Sequence, residues 1–201
     1  MDEYGKHNTA FHPELVAAVS SRSCRVLDVG CGDGLLLQEL RASTDHVTGV
    51  DPDRAALERA RARFADPSEA DIVLGDLLSA PEVDGRRFDL ITWVAALHHL
   101  PLVPALERMR DLLAPGGQLR IVGLAANRSI ADAVLSGVVL VPIRVMSRVR
   151  RESGYPGMAT ARPSESLAEI REAAAAILPG SRIRRRFSYR CRLTWIKPAG
   201  W

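Results

Sequence analysis

Residues 26 to 34 read Val26-Leu27-Asp28-Val29-Gly30-Cys31-Gly32-Asp33-Gly34, and everything else in the chain is best understood outward from this run. Val26, Leu27 and Val29 make a short apolar strand. Gly30, Gly32 and Gly34 then allow a tight turn whose backbone can lie close to a ligand, and Leu35 to Leu40 begin a helix. Strand, glycine loop and helix together make a nucleotide site. A dinucleotide loop would carry a third glycine where this chain has Leu35. Asp28 and Asp33 would also repel a pyrophosphate and attract a ligand bearing cationic groups.

The pieces that follow come in a recognisable order. Val47 to Val50 form a second apolar strand ending at Asp51, 21 residues after Gly30, where an acid can accept from two ribose hydroxyls. Ile72 to Leu74 form a third strand, followed by Gly75-Asp76-Leu77, and Phe88 to Trp93 form a fourth. Leu112-Leu113-Ala114-Pro115-Gly116-Gly117 then gives a helix end and turn, and Gln118 to Leu124 a fifth strand.

From Cys24 to Gly123 this order resembles the class I S-adenosylmethionine (SAM) dependent methyltransferases, specifically their small-molecule, methyltransferase type 11 or UbiE-like members. The resemblance implies a Rossmann-like α/β fold. Its sheet has seven mostly parallel strands, with helices on both faces and a terminal antiparallel hairpin. It also implies SAM as cofactor, with Asp28 near the methionine amino group and the loop Gly30, Cys31, Gly32 and Gly34 beside it. Asp51 and Pro52 would lie at the ribose, Asp76 and Leu77 at the adenine, and Trp93 at the end of the fourth strand.

Composition sets the remaining bounds. A chain of 201 residues, 47% hydrophobic and 25% charged, is long enough for one domain with a sizeable core. Within it we expect an N-terminal lid and helix over 1–20, a cofactor-binding core over 24–124, a cap insertion over 125–165, and a last helix with hairpin over 166–201. Cys24, Cys31 and Cys191 have neither metal-ligand spacing nor a disulfide framework, so no metal and a reducing compartment are expected. Met1 to Phe11 lacks the apolar stretch of a signal peptide, which makes the cytoplasm the expected location. The net charge of +3 is carried by arginine, with Lys6 and Lys197 the sole lysines. The clusters at Arg148 to Arg151 and Arg182 to Arg186 read as solvated surface, so nucleic acid is not an expected partner.

Helical patterns alternate with the strands, as a parallel sheet requires. Asp53 caps a helix with Ala56, Leu57, Ala60 and Phe64 on one face. Leu102 to Leu113 is a second, with Val103, Leu106, Met109 and Leu113 as its expected buried stripe. Ser166 and Glu169 form a capping box before Leu167, Ile170, Ala174, Ile177 and Leu178, and Pro179-Gly180 ends that helix. Strands Arg182 to Phe187 and Arg190 to Ile196 make the closing hairpin.

Between the fifth strand and Ser166, Ala125 to Glu165 is longer than a connection needs to be, and Ile130 to Val149 is strongly apolar. Pro142 and Arg144 interrupt a run already short of the ~20 apolar residues of a membrane span. A helical cap over the acceptor is the preferred reading; peripheral membrane contact helped by Arg148, Arg150 and Arg151, or a homodimer face over 130–149, stay open beside it. Tyr4 to His12, polar and aromatic, either folds across the cofactor or frays.

Methyl transfer is an in-line displacement that positioning alone can accelerate greatly. A proton on the acceptor needs a base, for which His98 and His99 are the candidates; the alternative role for the pair is packing or loop support. Superfamily members that methylate nucleobase or glutamine nitrogens show Asn/Asp-Pro-Pro-aromatic where this chain has Thr92-Trp93-Val94-Ala95. The expectation is therefore a small, apolar or aromatic acceptor. RNA or protein methylation, or SAM binding without transfer, are the alternatives.

Overall fold

A computed structural model describes residues 9–94, 100–124, 165–185 and 190–201. The expectations for Tyr4 to Asn8, for His98 and His99, and for the insertion from Ala125 to residue 164 lie outside these. The described elements are α1 (His12–Val16), β1 (Arg25–Val29), α2 (Leu35–Arg41), β2 (His46–Asp51), α3 (Arg54–Arg61), β3 (Asp71–Leu74), β4 (Phe88–Val94), α4 (Leu102–Leu112), β5 (Leu113–Leu124), α5 (Leu167–Ile177), β6 (Arg182–Arg185) and β7 (Arg190–Ile196). They build one seven-stranded sheet in the order β3-β2-β1-β4-β5-β7-β6. All neighbours are parallel except β7, which runs antiparallel to both β5 and β6. The seven-stranded sheet with its terminal hairpin is the fold the sequence implied.

The strands read as apolar because both sheet faces are covered. Leu27, Val29, Ile91 and Trp93 point to one face, where α4 and α5 add Leu106, Met109, Ile170 and Ala174. Val26 and Leu90 point to the other, under Leu15 of α1 and Leu36, Leu37 and Leu40 of α2. Each such leucine contributes roughly 1.5–3 kcal/mol of burial.

Asp53 caps α3, its carboxylate accepting from Ala55 N at 2.9 Å and Ala56 N at 3.1 Å. Ser166 and Glu169 form their capping box at α5. Of the stripe expected on α4, Leu106 and Met109 are buried as read, with Leu102, Ala105 and Leu112 beside them, whereas Val103 is 47% exposed. The helix begins at Leu102, so the i, i+3, i+4, i+7 face counts from there, and Leu113 is buried as the first residue of β5 instead. At the same junction, Lys197 is buried and its Nζ donates to the carbonyls of Arg110 and Leu113, both at 2.9 Å. A side chain from the end of the sheet thus satisfies two carbonyls at the α4–β5 corner that would otherwise be orphaned.

Candidate active site

The carboxyl ends of β1, β2, β3 and β4 converge at the point where the strand order reverses, between β1 and β4. At the end of β1, the amides of Gly30 and Cys31 both donate to the Val50 carbonyl, at 2.8 and 3.3 Å, tying the loop to β2. Gly30, Gly32 and Gly34 all have positive φ, at 68°, 54° and 77°. Two of these glycines do different work. A Cβ at Gly32 would meet nothing within 4 Å, so the loop there borders open space. One at Gly34 would lie 2.8 Å from Ala60 Cβ, so this glycine lets α3 press against the loop.

Asp28 is 3% exposed, and Thr92 Oγ1 on the neighbouring strand donates to its Oδ1 at 2.7 Å. Burial pushes its carboxyl up to about 7, with the Thr92 hydrogen bond working against the rise and the charge of Asp51 adding to it. A buried carboxylate poised this way favours a cation placed beside it. Asp51, at the end of β2, accepts from Gly32 N on Oδ2 at 2.9 Å and from Asp53 N on Oδ1 at 2.8 Å. It therefore sets the shape of the glycine loop, and each oxygen keeps a lone pair for a hydroxyl donor. Pro52 is exposed next to it.

Asp76 accepts from Leu78 N on Oδ1 at 2.7 Å, and its own carbonyl accepts from Ser79 N and Ala80 N. The Leu77 side chain is buried in the core, which leaves its main chain to offer a ligand. Trp93 is fully buried between β1 and β5, and its indole Nε1 has no acceptor among the described residues. Cys31 is buried too, its Sγ 2.8 Å from where a Cβ on Gly49 would stand; burial, then the charges of Asp28 and Asp51, push its thiol well above the ordinary range. Cys24 and Cys191 are likewise buried and unpaired.

Sequence reasoning treated Asp33 as a partner of Asp28 in attracting a cation. In the structure Arg63 takes Asp33: its Nε donates to the Asp33 carbonyl and its Nη2 to Oδ2, both at 2.5 Å. The charge offered to a ligand thus comes from Asp28 and Asp51. One further group was missed, Thr92 as the partner of Asp28; His12, the last residue of the segment expected to cover the cofactor, is buried instead with its Nδ1 3.0 Å from Glu39 Oε2 on α2.

These residues fit a nucleoside ligand carrying vicinal hydroxyls and an ammonium. The donor set is acceptor-only where hydroxyls and a cation would bind, and the space over Gly32 is open.

Known proteins agree. Residues 26–117 match the family model of a methyltransferase domain. An uncharacterized methyltransferase of Mycobacterium tuberculosis is 34% identical over 203 residues, covering 98% of this chain and 100% of its own. A ubiquinone biosynthesis O-methyltransferase of Alkalilimnicola ehrlichii is 32% identical over 123 residues, 59% of this chain and 49% of that one. Among solved structures, the magnesium protoporphyrin IX methyltransferase of Synechocystis PCC 6803 with bound SAH has the same fold, with a TM-score of 0.63 at 19% identity over 96% of this chain and 83% of that one.

The fold is that of the Rossmann-like methyltransferases. The chain belongs to the class I SAM-dependent methyltransferases, and its cofactor is SAM.

Proposed function

We propose that this methyltransferase acts on a small, apolar or aromatic acceptor. The observation that carries the reading is at the end of β4. Where relatives that methylate amide or nucleobase nitrogens present a polar side chain to the target, this chain has Thr92, and its hydroxyl is committed to Asp28 at 2.7 Å. The residues after it, Trp93 and Val94, offer no carboxamide or carboxylate.

In this reading Asp28 holds the ammonium of the cofactor and Asp51 its ribose hydroxyls. Asp76 takes the adenine amine through the oxygen not bonded to Leu78, and the Leu77 main chain meets the ring edge. Gly30, Gly32 and Gly34 let the loop backbone approach, Pro52 borders the ribose, and Cys31 and Trp93 pack beneath as the floor. When bound, SAM supplies a methyl group on a sulfonium, an electrophile that needs only alignment with the acceptor. A base is required only for acceptors that lose a proton, and His98 or His99 is the proposed group. Three buried thiols suit a reducing, cytoplasmic compartment.

The test is S-adenosylhomocysteine formation over a panel of phenols, quinones and amines, with bulk RNA and protein as parallel acceptors. Turnover on one or more small molecules is expected. Turnover confined to RNA or protein would overturn the small-acceptor reading and leave the methyltransferase assignment standing.

A further inference from the structure

The two faces of the hairpin end of the sheet differ sharply. On one, Cys191, Leu193 and Trp195 of β7 are buried in the core shared with α5. On the other, register places Arg182 of β6 and Arg120 of β5 on either side of Thr194, and sets Arg184 directly opposite Arg192. Ile196, two residues beyond Thr194 on the same face, is 61% exposed. Neighbouring strands lie about 4.8 Å apart and alternate residues about 6.6 Å apart, so four arginines spring from one small area of the sheet, Arg120 and Arg192 partly buried and Arg182 and Arg184 exposed.

Positive charge here is crowded. Like charges opposite one another on antiparallel strands destabilise the pair. The strands contribute no carboxylate to this face among the described residues; Glu14 of α1 pairs with Arg192 at 2.7 Å and its charge also reaches Arg120, so the positive charge left facing solvent is that of Arg182 and Arg184. Burial and the nearby Arg192 guanidinium together hold Arg120 below its ordinary pKa. Arg182 and Arg184 are exposed and have no carboxylate partner among the described residues.

We propose that this face of β5, β7 and β6 docks on an anionic lipid surface. The charge calls for an anion and disfavours a two-fold contact centred on this patch, which would set arginine against arginine at the axis. The face carries no aromatic side chain among the described residues, so a single-stranded nucleic acid would find nothing on which to stack its bases. Arg182 and Arg184, exposed on the edge strand β6 beside the exposed Ile196, match the headgroup layer of a bilayer. The row holding Arg184 and Arg192 also carries Val122 and Val94, the last residues of their ladder before the carboxyl ends where the active site lies. Docking would therefore bring the acceptor mouth near the membrane. The biological sense of this rests on the apolar-acceptor reading; its test does not.

The experiment is flotation of the full chain with phosphatidylcholine vesicles, with and without about one-third phosphatidylserine, at low and high salt. Wild type is expected to partition to the anionic vesicles alone, and to be released by salt. Arg182→Glu together with Arg184→Glu should lower that partitioning at least tenfold, while S-adenosylhomocysteine affinity stays unchanged and reports an intact fold. Equal binding to neutral and anionic vesicles, or undiminished binding by the double variant, would overturn the proposal. So would arginine-dependent binding of a generic RNA without vesicle binding. Because no acceptor is present in flotation, its failure leaves the small-acceptor reading untouched, which turnover in detergent solution decides separately.

Discussion

Replacing Asp28 by asparagine should abolish a pH dependence that this one carboxyl imposes on both stability and cofactor affinity. In the ligand-free protein its pKa stands near 7 against an ordinary 3.8, because burial disfavours the charged form. The folded state therefore binds a proton that the unfolded state has released between those values. Its stabilising share is complete below about pH 4 and is lost as pH rises through about 7, a difference of roughly three pKa units or about 4 kcal/mol at most. A bound ammonium reverses the balance, since it favours the carboxylate and drives the proton off. Affinity for S-adenosylhomocysteine should accordingly rise roughly tenfold per pH unit up to about pH 7 and then level off. Asparagine keeps the shape and an oxygen for Thr92 but can neither ionise nor pair with a cation. Its affinity should be flat with pH and, at about pH 8, weaker than wild type by roughly 1.5–3 kcal/mol. Thermal melts between about pH 5 and 8, with calorimetry in buffers of different ionisation enthalpy to count protons, read both effects as the difference between the two proteins. Wild-type affinity that does not change with pH, or an asparagine variant that keeps the slope, would refute the reasoning.

Asp51→Asn should weaken S-adenosylhomocysteine binding at least about tenfold by calorimetry, because both carboxylate oxygens accept backbone amides and one of them would now face an NH2. NAD should show no saturable binding to the wild type. Gly49→Ala should cost about 1–3 kcal/mol in urea denaturation, since the new methyl lies 2.8 Å from Cys31 Sγ and 2.9 Å from Leu37 Cδ2; adding Cys31→Ala should restore part of the loss. Lys197→Met should lower stability by roughly 2–4 kcal/mol by leaving the Arg110 and Leu113 carbonyls without their donor, with S-adenosylhomocysteine affinity unchanged in the fraction that remains folded.

The glycine loop and the strands around it were legible because their signals are local: apolar runs, turn glycines and an acid at a strand end. The capping box at α5 was equally legible, since Ser166 and Glu169 sit three residues apart on one turn. What stayed hidden depends on contacts across the chain. Nothing in the glycine motif says that Arg63, 30 residues away, takes the Asp33 carboxylate. Nor does sequence give the register that sets Thr92 beside Asp28, and with it the environment that raises that carboxyl. The misassigned Val103 on α4 has a simpler cause: Leu102 and Val103 are adjacent and both apolar, and only packing against the sheet and α5 decides which of them turns inward.

The hydroxyl of Thr92 gives this lineage a way to retune its working conditions without altering a group that contacts a ligand. It is the one influence that opposes the upward push on Asp28. Trading it for a methyl, as in Thr92→Val, would carry the onset of tight cofactor binding toward alkaline pH. Serine would leave the onset in place. Natural selection, or a protein engineer adapting the enzyme to a more acidic or basic medium, could thus move its range through a threonine that lies beneath the site and has no chemistry of its own to lose.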